Sequence, residues 1–215
     1  VDGSGNVSAR REGSAVITAT SGGAEAACEV IVYQAPRANA WFKDSAGRWL
    51  YYDEKQQPAR GWLKIKNIWY LFDDDSGIMK TGWAKHSNAW YYLMDSGAMK
   101  TGWLHDGYTA AGAQRWYYLK GSGAMMAGGW LSVGNASGKS IWYYFHGSGE
   151  MQTGWVKHSG KWYYMDASGA MCTSWLKLNG VWYYLDKSGA MLTGTHTIDG
   201  RRSRFADSGR WLGYI

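Results

Sequence analysis

The sequence has 215 residues and a formal net charge of +6, and it contains 15 Trp, 16 Tyr and 30 Gly but only 2 Pro and 4 Phe. No apolar run approaches the roughly 18 residues that a membrane span requires, and the scattered Lys and Arg do not form the continuous basic groove that nucleic-acid binding needs. The aromatic and glycine bias instead indicates an internal repeat. Residue 1 falls within a strand-like segment, so we expect the sequence to be part of a longer chain.

The first 33 residues differ from the rest because they contain no Trp. Short β-branched runs separated by Gly-rich turns predict strands at Ala15–Thr20 and Ala26–Val32. The sequence G-S-A-V-I-T-A-T and the following strand of alternating polarity resemble the C-terminal part of a group 2 bacterial immunoglobulin-like domain. That resemblance implies a remnant over residues 1–33, because the segment is too short to close a sandwich of about 100 residues. Residues 34–39, with Pro36, are predicted to be a linker.

From Trp41 onward, a pair of Trp residues recurs in units of 20 to 27 residues. The first Trp residues of the pairs are Trp41, Trp62, Trp83, Trp103, Trp130, Trp155 and Trp175. The second are Trp49, Trp69, Trp90, Trp116, Trp142, Trp162 and Trp182. The pattern predicts a repeat array over residues 40–215, with seven Trp-pair units and a degenerate terminal cap.

Each unit is too short for a pair of helices, and Gly and Ser separate its alternating aromatic runs, which is typical of a β-hairpin. In one typical copy, we expect strands at Trp155–His158 and Lys161–Asp166 with a turn at Ser159-Gly160. A lone hairpin is barely stable in water, but stacked hairpins bury their aromatic faces against neighbours. The predicted fold is therefore all-β, a solenoid of stacked β-hairpins.

Two inserts and the last unit depart from the repeat. The segments His105–Arg115 and Ser132–Ile141 lengthen units four and five between their paired Trp, which predicts loops on one face. The last stretch, Gly194–Ile215, has Thr195 and Arg202 at the Trp positions but keeps the hairpin outline. Loss of the Trp pair in the final unit is typical of a capping repeat.

The Trp spacing places both indoles of a unit on one face of its hairpin, and strand alternation turns the first Tyr of Trp-Tyr-Tyr to the opposite face. If the Trp pair faces the next unit, that Tyr faces back and closes a three-walled box. Such a box of aromatic faces without a nearby carboxylate suits a quaternary ammonium group, which ring quadrupoles attract and which needs no hydrogen-bond acceptor. The alternative is that the rings are only packing core, and the spacing by itself leaves both interpretations open.

The pattern G-W-(x)6-W-Y-Y-(x)4-S-G-A-M resembles the choline-binding, or cell-wall-binding, repeats of Gram-positive surface proteins, and the resemblance extends from Trp41 to the C-terminus. It implies a hairpin solenoid wound as a left-handed superhelix, with choline of teichoic or lipoteichoic acids held between consecutive hairpins. The implied cage has two Trp of one unit, an aromatic residue of the next and often a connector Met.

The resemblance assigns five cages by position. They are Trp62, Trp69 and Tyr91 with Met79; Trp83, Trp90 and Tyr117 with Met99; Trp103, Trp116 and Tyr143 with Met125; Trp130, Trp142 and Tyr163 with Met151; and Trp155, Trp162 and Tyr183 with Met171. A hydrophobic plug between hairpins is the alternative role of the Met residues.

Other units depart from this pattern. A cage of Trp41, Trp49 and Tyr70 lacks the Met, and Trp175 and Trp182 lack a third wall because Ser203 replaces the Tyr. The inserts are expected to widen, cover or re-aim the cages of units four and five.

No catalytic, metal-binding or cofactor-binding motif stands out, which favours a noncatalytic module. The resemblance to choline-binding repeats implies that this module lies outside the cell, associated with the cell wall. The net positive charge fits either ordinary solubility or a mild attraction to a polyanion such as a teichoic acid. Two other functions remain open: binding of glucan or another cell-surface glycan by aromatic stacking, and a structural spacer for an upstream adhesin or enzyme.

Overall fold

The computed structural model describes residues 13–32 and 36–215. The start of the predicted immunoglobulin-like remnant (residues 1–12) and residues 33–35, which include the start of the predicted linker, lie outside the described residues. The chain divides into two compact units, residues 1–80 and residues 81–215. Within the described residues, no helix has the length and apolarity needed to cross a membrane.

The first compact unit contains three antiparallel hairpins, β1–β2, β3–β4 and β5–β6. Their strands are β1 (Gly13–Ser21), β2 (Ala24–Val32), β3 (Ala40–Lys43), β4 (Trp49–Tyr52), β5 (Gly61–Ile65) and β6 (Ile68–Phe72). The two strands predicted in the N-terminal segment are confirmed, since they lie within β1 and β2. The resemblance of this segment to an immunoglobulin-like domain stays a prediction.

The second compact unit continues with five hairpins and ends in a three-stranded sheet. Its strands are β7 (Gly82–His86), β8 (Ala89–Leu93), β9 (Gly102–Tyr108), β10 (Gln114–Leu119), β11 (Gly129–Gly134), β12 (Ser140–Phe145), β13 (Gly154–His158), β14 (Lys161–Met165), β15 (Ser174–Leu178), β16 (Val181–Leu185), β17 (Gly194–Ile198), β18 (Arg201–Phe205) and β19 (Trp211–Tyr214). The strands pair in the order β7-β8, β9-β10, β11-β12, β13-β14, β15-β16 and β17-β18-β19. The all-β hairpin repeat predicted from the sequence is confirmed.

Two-residue turns close the regular hairpins. Ser159 (φ 48°) and Gly160 (φ 79°) both have positive φ, as a type I′ turn requires, and Asn179 (φ 47°) and Gly180 (φ 83°) repeat the arrangement. This turn matches the right-handed twist of the flanking strands. It fixes the register that pairs Trp155 with Tyr164 and Lys157 with Trp162.

A connector of about eight residues leads from each hairpin to the next, and residues 186–193 are typical. The Asp186 carboxylate accepts the backbone N–H groups of Ser188 (2.7 Å) and Ala190 (3.1 Å), which holds the turn in shape. Burial opposes ionisation of Asp186, but the hydrogen bonds from Ser188 and Ala190 outweigh it and lower the pKa of this carboxyl. The connector then bridges back onto its own hairpin through Leu185 and Met191.

The core of each compact unit is built around one apolar position that recurs from hairpin to hairpin. The last residue of the second strand is fully or almost fully buried in hairpin after hairpin: Phe72, Leu93, Leu119, Phe145, Met165, Leu185 and Phe205. Burial of each such side chain contributes about 1.5–3 kcal/mol. The paired Trp residues do not belong to this buried set, because they occupy other positions along the strands.

Candidate functional site

The paired indoles meet edge to face on one side of each hairpin. Trp155 and Trp162 have ring centroids 6.4 Å apart and planes at 88°. They share a face because Trp155 pairs with Tyr164, Trp162 pairs with Lys157, and alternate residues of a strand point the same way. The same geometry, with centroids 6.1–6.5 Å apart, recurs in Trp41/Trp49, Trp62/Trp69, Trp83/Trp90, Trp103/Trp116 and Trp175/Trp182.

A Tyr of the following hairpin lies against the first Trp of the pair. The ring of Tyr183, in β16, is 5.0 Å from the ring of Trp155, in β13. The predicted contacts Trp83–Tyr117, Trp103–Tyr143 and Trp130–Tyr163 have the same form, at 4.7–4.9 Å. Trp41 and Tyr70 also meet, at 5.0 Å. The ring groupings of Trp83, Trp103 and Trp155 with their second Trp and their Tyr are therefore observed, and we call each such group a cage.

One predicted cage is not described as a group. Trp62 and Trp69 meet at 6.4 Å in β5 and β6, whereas Tyr91 lies in β8 of the second compact unit. The assignment of Tyr91 to the Trp62/Trp69 pair stays a prediction.

The cages are open to solvent. Trp155, Trp162 and Tyr183 border a cavity of about 340 Å³, together with Met191, Asp207 and Ser208. The Trp162 side chain is 40% exposed, and five other second Trp residues are similar, at 38–45% for Trp49, Trp69, Trp90, Trp142 and Trp182, whereas Trp116 is less exposed. Indoles with this exposure are not core, so the interpretation that the rings serve only for packing does not fit these residues.

Two of the methionine assignments made from the sequence, Met171 and Met125, differ by one unit from the Met that borders the cavity. Met191, not Met171, borders the Trp155/Trp162 cavity, and Met151, not Met125, borders the Trp103/Trp116 cavity. The reason is the path of the connector: the Met191 amide donates to the Trp162 carbonyl (2.8 Å), so the connector that follows one hairpin reaches the Trp of the hairpin before it.

The same backbone hydrogen bond recurs along the array, and it places the other connector Met residues beside the preceding Trp pair. Met125, rather than Met99, donates to the Trp90 carbonyl (2.7 Å), and Met171, rather than Met151, donates to the Trp142 carbonyl (2.8 Å). Met79 donates to the Trp49 carbonyl (2.8 Å). The Trp41/Trp49 cage therefore has a connector Met, which the sequence analysis denied it.

The insert of unit four becomes an extension of β9 and β10, with a bulge between Gln114 and Trp116. This extension places the Asp106 carboxylate 2.9 Å from the Trp83 indole nitrogen, which donates to it. The cavity of about 430 Å³ bordered by Trp103 and Trp116 remains present beside the insert. The insert thus adds a side chain to the preceding cage and leaves the cage of its own unit open.

Carboxylates stand beside two cages, contrary to the expectation of boxes without a nearby acid. Tyr117 donates its hydroxyl hydrogen to Glu150 (3.3 Å), so the Trp83/Trp90/Tyr117 cage has two carboxylates bound to its rings, Glu150 and Asp106. Burial first, and then the Glu150 charge, raises the pKa of Tyr117, which keeps the phenol neutral and able to donate. Asp207 borders the Trp155/Trp162 cavity.

In unit five, which carries the second insert, the two Trp residues of the pair make no ring contact with each other. Trp130 contacts Tyr144 (5.0 Å), Tyr163 (4.8 Å) and His158 (6.1 Å), whereas Trp142 makes no ring contact within the described part of the chain. His158 also hydrogen-bonds to the Tyr144 hydroxyl at 3.2 Å. The predicted cage of Trp130, Trp142 and Tyr163 is therefore only partly assembled.

The last Trp pair does have further walls, although Ser203 replaces the Tyr. Trp211 and Tyr214, both in β19, border a cavity of about 370 Å³ together with Trp175 and Trp182. The prediction that this pair lacks a third wall is wrong, because Trp211 lies outside the period of the Trp pairs and was not assigned to a unit. A fifteenth Trp in an otherwise paired series was the available signal.

A lysine ammonium lies over the second Trp of several hairpins. Lys157 is 5.7 Å from the ring centroid of Trp162, and its strand partnership with that Trp explains the contact. The same pairs occur at Lys43/Trp49, Lys64/Trp69 and Lys177/Trp182. At these distances, a cation lies within the range in which the ring quadrupole of the second indole attracts it.

Two family models match the sequence. A choline-binding repeat matches residues 80–130 and 134–174, and a putative cell wall binding repeat matches residues 61–79 and 173–191. Among curated proteins, none matches the chain.

Three solved structures from Streptococcus pneumoniae are similar to this chain. CbpJ is 31% identical over 95% of this chain and 72% of CbpJ, with a TM-score of 0.72. Choline binding protein F is 30% identical over 95% of this chain and 72% of that protein, with a TM-score of 0.69. The choline-binding domain of CbpL is 26% identical over 83% of this chain and 98% of that domain, with a TM-score of 0.52. Together with the half-exposed Trp pairs and the Tyr that closes them, these matches show that the chain belongs to the choline-binding repeat family.

Proposed function

We propose that the chain holds the choline groups of teichoic and lipoteichoic acids in the cages between successive hairpins and thereby attaches its protein, without catalysis, to the outside of the bacterial cell wall. One observation carries the proposal. Trp162 keeps 40% of its surface in solvent, while Trp155 is fixed between it and Tyr183 of the next hairpin.

The chemistry of the cage favours a trimethylammonium group over a primary amine. Each ring face contributes about 0.5–2 kcal/mol of attraction for a cation, and three faces act together. A trimethylammonium group has no N–H to donate, so it loses less hydration than a primary ammonium when it enters a cavity such as that of Trp155, Trp162 and Tyr183. A primary ammonium would leave its hydrogen bonds to water without replacement.

A polymer with many choline groups suits an array of weak sites. A millimolar site corresponds to only about −4 kcal/mol. When several cages on one chain engage one polymer, each later contact is intramolecular, and the overall affinity rises by about 10² to 10⁴. The gain in affinity from several sites favours attachment to a choline-bearing surface over the sensing of free choline.

Retention on immobilised choline tests the proposal. The unmodified chain should bind and should elute with free choline, but not with an equal concentration of ethanolamine at matched ionic strength. The double variant Trp155→Ala/Trp162→Ala should elute at a choline concentration lower by about twofold or more, because one cage is lost. Tyr108→Ala removes an exposed aromatic side chain outside the cages (60% exposed) and should elute like the unmodified chain.

Two outcomes would contradict the proposal. If oligosaccharides release the chain from cell walls and choline does not, the aromatic rings bind glycan. If the double variant lowers stability but leaves retention unchanged, the array is a structural spacer.

A further inference from the structure

The C-terminal end of the chain carries a cage that differs in composition from the others. Trp175, Trp182, Trp211 and Tyr214 border its cavity of about 370 Å³. The Trp175 ring lies 6.1 Å from Trp182 and 5.5 Å from Trp211, and Trp211 lies 5.1 Å from Tyr214. We call this group the terminal cage.

The position of Trp211 explains how the terminal cage is built. Met191 bridges to Leu185 at the end of β16, and Trp211 pairs with Phe205 at the end of β18 in the same way. Trp211 therefore occupies the connector position that holds Met in the preceding unit. Where the chain would otherwise place a flexible thioether, it places an indole.

This unit also has Ser203 at the position where the other repeats have the Tyr that closes the cage. Ser203 pairs with His196 as Tyr183 pairs with Leu176 in the hairpin before, so Ser203 stands where the cage would otherwise receive its Tyr. Ser203 is fully buried and cannot form a wall. Its partner on the other side, in β19, is Tyr214. The missing phenol ring is thus replaced by two rings, Trp211 and Tyr214, from a strand that no other repeat has.

We infer that the terminal cage is a further binding site for a quaternary ammonium group, closed by Trp211 and Tyr214 of β19 instead of by the Tyr that closes the other cages. This inference rests on the proposed function. All four of its lining residues are aromatic, whereas Met191, Asp207 and Ser208 border the Trp155 cavity beside its three rings. More of the surface that a bound trimethylammonium would meet is therefore a ring face.

The Tyr214 ring of the terminal cage contacts a cationic side chain and belongs to a paired strand. The Arg201 guanidinium lies 5.3 Å from the Tyr214 ring centroid, and β19 pairs with β18 along its length. A guanidinium stacked on a phenol ring restricts that ring before any ligand arrives. The last strand is thus an ordered wall, although Tyr214 is 52% exposed and only one residue from the end of the sequence.

A choline titration of the full chain labelled with ¹⁵N-Trp tests the inference, with sodium chloride at the same ionic strength as the blank. The indole signals of Trp175, Trp182 and Trp211, assigned by their loss in single Trp→Phe variants, should shift and saturate with choline. Trp211→Met installs the residue of the other repeats without restoring the Tyr, and it should weaken the response of Trp175 by about threefold or more. The signals of Trp155 and Trp162 should keep their unmodified response in that variant.

The outcomes separate the two proposals. If Trp155 and Trp162 respond to choline but Trp175, Trp182 and Trp211 do not, the terminal site is refuted and the proposed function stands. If no indole responds, both fail. An unchanged Trp175 response in Trp211→Met also refutes the inference. Should that variant lose the dispersed signals of a folded chain, Tyr214→Ala serves instead, and a Trp175 response equal to that of the unmodified chain would again refute it.

Discussion

At the scale of single residues, the environment of the second Trp is unusual for so large an apolar side chain. Trp162 meets Trp155 on one side and the Lys157 ammonium at 5.7 Å, yet 40% of it stays in solvent. A side chain kept only for stability would gain more from complete burial, at about 25 cal/mol per Å² of apolar surface. Partial burial preserves a ring face for a ligand.

The cages are expected to differ in their affinity for choline, because different charged side chains lie beside them. Asp106 accepts from the Trp83 indole and Glu150 accepts from the Tyr117 hydroxyl, so two rings of one cage donate to carboxylates. A carboxylate beside a cation site attracts the cation directly. We therefore expect the Trp83/Trp90/Tyr117 cage to bind choline more tightly than the Trp103/Trp116/Tyr143 cage, where Trp116 donates to the neutral Gln114.

Asp106→Asn tests this ranking, because it removes the charge and keeps an oxygen that can accept from Trp83. The choline affinity of the Trp83 cage should fall about two- to fivefold, as expected for a partly exposed charge. A choline titration followed through the Trp83 indole signal measures it. Asp199→Asn, in the turn between β17 and β18, is the matched control for loss of one negative charge. Equal effects of the two variants would show that only the net charge matters.

At the scale of the elements, the connector joins one hairpin to the next through a close contact between a Met and a Gly. A Cβ built on Gly189 would lie 2.3 Å from the Met171 sulfur, and Gly189 also has φ +83°. The same contact joins Met99 to Gly123, Met125 to Gly149, Met151 to Gly169 and Met191 to Gly209. The connector Met therefore serves both proposed roles, since it fills the space between hairpins and, at Met151 and Met191, borders a cage.

Gly189→Ala should destabilise the chain through both backbone strain and this clash. Gly180→Ala is the matched control, because Gly180 has the same φ of +83° but no atom within 4 Å of the added Cβ. We expect Gly180→Ala to cost about 1–2 kcal/mol and Gly189→Ala to cost about 1–3 kcal/mol more. Urea unfolding followed by Trp fluorescence measures both.

A second variant shows whether the extra loss comes from the Met. Adding Met171→Ala to Gly189→Ala should recover part of the difference, because the smaller side chain leaves room for the methyl group. Equal losses in Gly180→Ala and Gly189→Ala would contradict the interpretation that the Met fills this space.

The parts of the site that the sequence could predict are those that depend on a single strand or hairpin. The Trp pair and the backward-facing Tyr follow from strand alternation, a local property, and Trp155 and Tyr183 meet as expected. The connector Met depends on how residues 186–193 cross between hairpins, which no local pattern encodes. Asp106 reaches Trp83 only because an insert becomes a strand extension, and Trp211 joins its cage only because β19 adds to β18.

At the scale of the whole molecule, the chain is a series of similar cages whose stability is a sum of contacts between neighbours. Within the second compact unit, the hairpin β9–β10 supplies Trp103 and Trp116 to one cage and Tyr117 to the cage of Trp83 and Trp90, so this hairpin belongs to two cages. Loss of such a hairpin therefore affects two sites, whereas loss of one second Trp affects only one. The multivalent attachment proposed for the chain uses this arrangement, because successive sites on one chain can engage successive choline groups of one polymer.

Crystals of the chain soaked in choline test the central claim most directly, namely that the open indole pairs hold a methylated cation. The account predicts density for a trimethylammonium group in the cavity of Trp155, Trp162 and Tyr183, with the nitrogen within about 6 Å of the ring centroids, and similar density at the Trp83 and Trp103 cages. Cavities that stay empty at saturating choline, or choline density found only away from the paired indoles, would contradict it.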